Sequence, residues 1–178
     1  MPEEPREPVA SDVVYEGALL SVVRETWTGL PHPYDVVRHP GAAAVLPITP
    51  EGQVLLVRQF RPAIRQELVE IPAGLLDVRG EDAITCAARE LTEETGYRHR
   101  DIEFLGGIYS SAGFANEYLH LFWASTEAEP VAEPEDGISL LREPFGEMIM
   151  AAKAGRIRDA KTALALLLAE ARGVVRVG

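Results

Sequence analysis

The sequence predicts an α+β domain, a mixed sheet between flanking helices (an α/β/α sandwich), preceded by an N-terminal β extension. Three observations carry this. The first half alternates short apolar, β-branched runs with glycine- and proline-containing turns. One long helical segment with a clear stop lies at mid-chain, and two more close the chain. The length of 178 residues, 47% of them hydrophobic, suits one domain with one substantial core.

Taken in order, residues 1–10 are rich in Pro and Glu and lack an apolar core segment. They read as a disordered tail and not as a signal peptide. Residues 19–27 are apolar enough for a strand, Thr28-Gly29-Leu30-Pro31 turns the chain, and residues 34–38 return as a second strand. Residues 11–38 thus form the strand extension and 39–178 the main domain. Residues 42–48 and 54–60 flank Pro50-Glu51-Gly52 in a hairpin pattern, and 68–71 form a short strand ending at Pro72. Residues 82–95 are the clearest helix, with Gly96 as its stop. Strands are expected at 102–109 and 118–124, a mobile acidic loop at 125–136, and helices at 143–154 and 159–171, the last with Asp159 as N-cap.

Net charge is −11, which argues against a nucleic-acid partner, because phosphate backbones are bound by basic surfaces. An anionic substrate would need local neutralisation by metal ions on acidic side chains and by a few placed arginines. No apolar run reaches the roughly 20 residues of a membrane helix. The single cysteine, Cys86, excludes an internal disulfide and fits a reducing cytoplasm; on a helix it reads as packing. The four histidines show no ligand spacing, so zinc is not expected.

The chemistry concentrates in Glu81, seven intervening residues, and Arg89-Glu90-Leu91-Thr92-Glu93-Glu94-Thr95-Gly96-Tyr97. At about 100° per residue, Glu90, Glu93 and Glu94 share one arc of the helix. Ile84, Ala87, Ala88 and Leu91 fall on another, which marks the core face. Like charges at i, i+3 and i+4 destabilise a helix by a few tenths of a kcal/mol per pair, and a cation among them relieves this. Hard divalent cations take carboxylate oxygens. Arg89, four residues before Glu93, is placed to hold that side chain. A charge run is ordinarily a solvated helix face, but this one follows a rigid strand exit, Ile71-Pro72-Ala73-Gly74, and Glu81 lies in the loop between.

These residues match the Nudix box, and the chain resembles the Nudix hydrolase family. The match departs in one place: six residues, not five, separate Gly74 from Glu81, an insertion within Val78-Arg79-Gly80. His39-Pro40-Gly41-Ala42, Val57-Arg58-Gln59-Phe60-Arg61-Pro62, Glu70-Ile71-Pro72-Ala73-Gly74 and Asp159-Ala160-Lys161-Thr162 resemble the ADP-ribose pyrophosphatase branch. The resemblance implies Mg²⁺-dependent hydrolysis (Mn²⁺ or another divalent cation as substitute) of ADP-ribose to AMP and ribose 5-phosphate. It also implies a homodimer with exchanged N-terminal strands. The metal ligands it implies are the Ala73 carbonyl and the Glu90 and Glu94 carboxylates, with Glu93 and Glu81 completing the acidic set. Arg61 corresponds to an arginine on the substrate phosphate, and Glu70 and Asp35 fall among the substrate-binding positions.

Ser111-Ala112-Gly113-Phe114, with Glu117 after it, resembles the branch's Ser-Pro-Gly-Phe segment, so Ser111, Gly113 and Glu117 join the substrate candidates. Ala112 stands where that segment has a substrate-marking proline, which keeps GDP-mannose and other nucleotide sugars as alternatives. Trp27 is a candidate for stacking adenine. The general base is expected on the loop Glu133-Pro134-Glu135-Asp136: Glu135 first, being central in the acidic run, then Glu133 and Asp136. Arg89 and Glu93 are counted with the catalytic group. A non-catalytic nucleotide-sugar sensor is the competing class, but a sensor has no need of Glu90, Glu93 and Glu94 together.

Overall fold

The computed structural model describes residues 6–174. Strands β1 (Ala10–Glu16), β2 (Ser21–Thr26) and β3 (Tyr34–Arg38) form an antiparallel sheet in that order. Together with Ile108–Tyr118 they make one compact unit that ends at Gly41. Within it, Val37 pairs with Ala115 and its N–H donates to the Phe114 carbonyl at 2.7 Å. Strands β2 and β3 match the expected extension. Strand β1 went unread, because every one of its residues is exposed and no in–out alternation marks it. It also corrects the extent of the tail. Residues 1–5 lie outside the described residues, but Val9 already donates to Thr26, and Ala10 is paired.

The second unit is Ala42–Gly107 with the chain from Leu119 onward. Its strands are β4 (Ala42–Ile48), β5 (Gln53–Arg61), β6 (Gln66–Glu70), β7 (Ala73–Leu75), β8 (His99–Tyr109), β9 (Tyr118–Thr126) and β10 (Ser139–Pro144). The sheet runs β10-β5-β4-β9-β8, with β6 paired to β5 and β7 to β4. It is mixed: β4 is parallel to β9 and antiparallel to β5 and β7. Every residue of β4 is buried, as expected of a central strand covered on both faces.

Helix α1 (Ala83–Thr95) covers one face; α2 (Phe145–Lys153) and α3 (Ala160–Ala171) cover the other. The alternation of β4 divides the core. Ala43 and Val45 pack with Cys86, Ala87 and Leu91 of α1. Ala44, Leu46 and Ile48 pack with Phe145, Ile149, Ala165 and Leu166. This is the expected α/β/α sandwich. The expected inner face of α1 is corrected at Ile84, which is exposed, while Cys86 is fully buried there.

Helix α1 is capped at both ends. The Asp82 carboxylate accepts from the Thr85 N–H at 2.9 Å, and Gly96, at φ 77°, closes the C-terminus. Helix α2 starts two residues later than expected, because Glu143 and Pro144 extend β10 along β5. The residue before a proline disfavours helical dihedrals.

Candidate active site

Arg89 is the hub of the acidic helix face. Its Nε and Nη2 form a fork on Glu81, at 2.9 and 3.0 Å. Its Nη1 donates to Glu90 at 2.6 Å and to Glu93 at 2.9 Å. The pairing of Arg89 with Glu93 expected from the i, i+4 spacing is present. Glu81 is engaged by Arg89 through both oxygens and so anchors the arginine. These three carboxylates hold the guanidinium firmly protonated.

Two backbone features bring Ala73 to this face. Strand β7 lies on β4, with Ala73 opposite Ala44. The Ala73 N–H donates to Glu94 Oε2 at 3.1 Å, and the Pro72 carbonyl accepts from Val45 at 3.0 Å. Gly74 is a glycine for space: a Cβ there would lie 1.8 Å from Glu90 Oε1. The glutamate carboxyl fills the place of the missing side chain.

Behind this segment lies an ionic chain, buried at Glu70 and Lys161, that no local sequence pattern marks. Arg61 forks onto Glu70 at 2.6 and 2.9 Å. Glu70 also accepts from Lys161 Nζ, which donates to Asp159 at 3.0 Å as well. Asp159 caps α3 by accepting from Thr162 N at 3.0 Å, and Thr162 Oγ1 accepts from Ile71 N at 2.8 Å. Glu70 is 1% exposed, with both oxygens taken by protein cations. It therefore stands behind Arg61 and does not face a ligand, a correction to its reading as a substrate contact. Burial works to raise the Glu70 carboxyl, but Arg61 and Lys161 overcome this and hold it below its ordinary value. The signal for Lys161 was present in the Asp159-Ala160-Lys161-Thr162 segment; its burial was not.

The acidic loop is tied to the end of α1. Val131 donates to the Gly96 carbonyl at 2.8 Å, and Glu135 N donates to the Glu93 carbonyl at 2.9 Å. A Cβ on Gly96 would stand 2.0 Å from the Ala132 carbonyl, so that glycine serves the loop as well as the cap. The mobile loop of the sequence reading is thus pinned by its backbone. Glu133, Glu135 and Asp136 keep exposed side chains. Of the three, Glu135 adds to the negative field on Glu90.

In the three-stranded unit, Trp27, Leu30, Tyr34, Tyr109, Ala112 and Phe114 line a cavity of about 400 Å³ that Gly113 also borders. Buried Glu25 and its partly exposed ion-pair partner Arg38, which no local sequence pattern marks, form part of its wall. Asp35 is corrected. It pairs with Arg24 at 2.8 Å on the opposite face of the sheet, as strand alternation dictates for a neighbour of Tyr34 and Val36. Ser111 closes a turn by accepting from Phe114 and Ala115. Glu117 accepts from the Ser110 hydroxyl at 2.5 Å and lies 3.7 Å from His39. Neither Ser111 nor Glu117 lines the Trp27 cavity.

The donors suit a hard divalent cation. Glu90, Glu94 and the Ala73 carbonyl offer oxygen only. Burial raises the Glu90 carboxyl, and raises Glu94 to about 7, so the protein alone undercompensates their charge. Among the described residues no three His, Cys, Asp or Glu side chains converge at ligand distance. No helix among the described residues is long and apolar enough to cross a membrane.

The family model of the NUDIX domain matches residues 37–165. An ADP-ribose pyrophosphatase of Bacillus subtilis is 32% identical over 165 residues, 89% of each chain. A methanol dehydrogenase activator of Bacillus methanolicus is 40% identical over 136 residues, 74% of this chain and 73% of its own. A GDP-mannose pyrophosphatase of Cronobacter sakazakii is 36% identical over 160 residues, 79% of this chain and 83% of its own.

Proposed function

This chain belongs to the Nudix family and is a hydrolase acting on a phosphoanhydride; on that premise we propose that it splits ADP-ribose or a related nucleoside diphosphate sugar into a nucleoside monophosphate and a sugar phosphate. The carrying observation is the joint placement of Ala73, Glu90 and Glu94, fixed by the β7–β4 pairing and by the space left at Gly74. Mg²⁺ or Mn²⁺ bound to these oxygens supplies neutralisation of the pyrophosphate charge and activation of water. Arg61, with 40% of its side chain exposed, binds a phosphate oxygen. Glu135 takes the proton from the attacking water as its oxygen bonds to phosphorus and the bridging P–O bond breaks. Arg89 holds Glu90 and Glu93 in place, and is itself held by Glu81.

The cavity around Trp27 supplies aromatic faces of the kind that stack a nucleobase. A second reading, GDP-mannose as substrate, is favoured by Ala112. It stands where a proline marks the ADP-ribose branch, and it borders that cavity. A GDP-mannose pyrophosphatase is also among the relatives.

A panel of ADP-ribose, GDP-mannose and other nucleotide sugars, assayed with Mg²⁺ and Mn²⁺, separates these readings. The expected result is metal-dependent release of nucleoside monophosphate, with most of kcat lost in Glu90→Gln and in Glu94→Gln. Full turnover in excess chelator, or near-normal activity of either variant, would overturn the ligand assignment.

A further inference from the structure

We propose that Lys161 is a positioning residue for the substrate-binding face, holding Arg61 in its phosphate-binding pose through Glu70. The inference rests on the reading of Arg61 as the phosphate ligand and goes beyond it to what sets that arginine's orientation.

Arg61, Glu70, Lys161 and Asp159 form a line of alternating charge. Glu70 grips Arg61 through Nε and one terminal nitrogen, leaving the outer part of an exposed side chain turned to solvent. With Arg61 as its sole partner, this buried carboxylate would be held from one side only. Lys161 binds the same Glu70 oxygen, Oε2, that accepts from Arg61 Nη2, and Asp159 holds Lys161 in turn. The four charges sum to zero, so what Lys161 sets is the orientation of the carboxylate onto which Arg61 forks.

Two features of Lys161 are hard to explain by folding alone. It is buried, and a buried ammonium is costly unless paired. It also sits in the first turn of α3, where the positive end of the helix dipole disfavours a cation. Asp159 offsets both, since its carboxylate caps the helix and pairs with Lys161 at once. A folding role would be met more simply by an apolar side chain at 161 and a neutral one at 70.

The test compares wild type, Lys161→Met, Lys161→Gln, Glu70→Gln and the double variant Glu70→Gln/Lys161→Met, each with its melting temperature. The glutamine at 161 keeps a hydrogen-bond donor and guards against a misfolded methionine variant. Steady-state kinetics on the best nucleotide sugar are read alongside calorimetric affinity for inorganic pyrophosphate. We expect the Lys161 variants to raise KM and weaken pyrophosphate binding by about tenfold, with kcat within about threefold, the pattern of lost ground-state binding. In the Glu70→Gln background, Lys161→Met should have no further effect on KM, because its route runs through Glu70.

An unchanged KM and pyrophosphate affinity in a folded Lys161 variant, whatever its melting temperature, would overturn the proposal. So would additive effects in the double variant, or failure of both Lys161 single variants to fold, which would mark the lysine as a folding residue. If wild type turned over no nucleotide sugar, the substrate reading would fall, while the pyrophosphate comparison would still decide the role of Lys161.

Discussion

Gly74 shows how a single absent atom sets the position of Glu90. Its missing Cβ would lie 1.8 Å from Glu90 Oε1 and 2.1 Å from the carboxyl carbon, so the glutamate reaches β7 only across a glycine. The obstacle to a methyl group is the far end of a flexible side chain, which can swing aside, so Gly74→Ala should fold. Its melting temperature should stay within a few degrees of wild type. The displaced carboxylate should cost roughly 10- to 100-fold in metal affinity or activity, as lost support of a ligand commonly does. Titration of Mg²⁺ or Mn²⁺ against activity would check this; wild-type metal dependence would mean that Glu90 does not act from its observed position. Residues of this kind were legible where spacing alone carries the information: Arg89, Glu90, Glu93 and Glu94 lie on one helix, and helical periodicity puts them on one face. Lys161 and Glu70 are 91 residues apart, and Glu25 pairs with Arg38 across a hairpin. No local pattern announces such pairs, because the sheet and α3 bring them together only in the folded chain.

At the scale of elements, α1 ends where the acidic loop begins to be held. Gly96 terminates the helix in a left-handed conformation, and its carbonyl then accepts from Val131. Glu135 N on the Glu93 carbonyl fixes the loop one turn from the carboxylate face. The base candidate is therefore tied by a backbone bond to the end of the acidic helix, where its charge adds to the negative field at Glu90. Glu135→Gln should lose about 10²-fold or more in kcat at saturating substrate and metal, with metal affinity retained. Glu133→Gln and Asp136→Asn should stay within a few-fold of wild type. A silent Glu135→Gln beside a crippled neighbour would move the base along the loop; three near-normal variants would place it elsewhere, with Glu117 or Glu93 next. The sequence made the loop's acidity and position plain, since composition shows both. Its anchoring was invisible, because the bonds are made by main-chain groups of Val131 and Glu135 that any residue but proline would supply. The elements read most closely are the apolar and β-branched runs between turns, β3, β4, β5 and β9, and the capped helices α1 and α3. Strand β1 lacked alternation, β7 is three residues long, and β10 merges through Glu143-Pro144 into the helix expected there.

For the whole molecule, β1 raises the question of assembly. It pairs with β2 alone, at the edge of a three-stranded sheet, and all seven of its residues are exposed. Val13 is 65% exposed, and Val14 and Tyr15, at the point where the register with β2 shifts, are both more than half exposed. An apolar edge strand left open to solvent is a template for pairing with another chain, and folded proteins usually cover, charge or shorten it. Asp12 and Glu16 lie within this strand, on either side of its apolar centre Val13-Val14-Tyr15. The net charge of −11 opposes indiscriminate association, so any partner must bury enough apolar surface to outweigh repulsion between like-charged copies. We therefore predict a homodimer built on the strands of residues 10–38, in keeping with the strand exchange that the family resemblance implies. Sedimentation or light scattering of wild type should give twice the chain mass of 19.4 kDa. Replacement of Val13 and Val14 by Glu should shift the protein to monomer, because two carboxylates cannot be buried unpaired at an interface. Since the core of the second unit lies in β4, β5 and the three helices, the monomer should keep a cooperative melt. A fully active wild-type monomer would refute the assembly, and a dimer indifferent to both glutamates would move the interface away from β1.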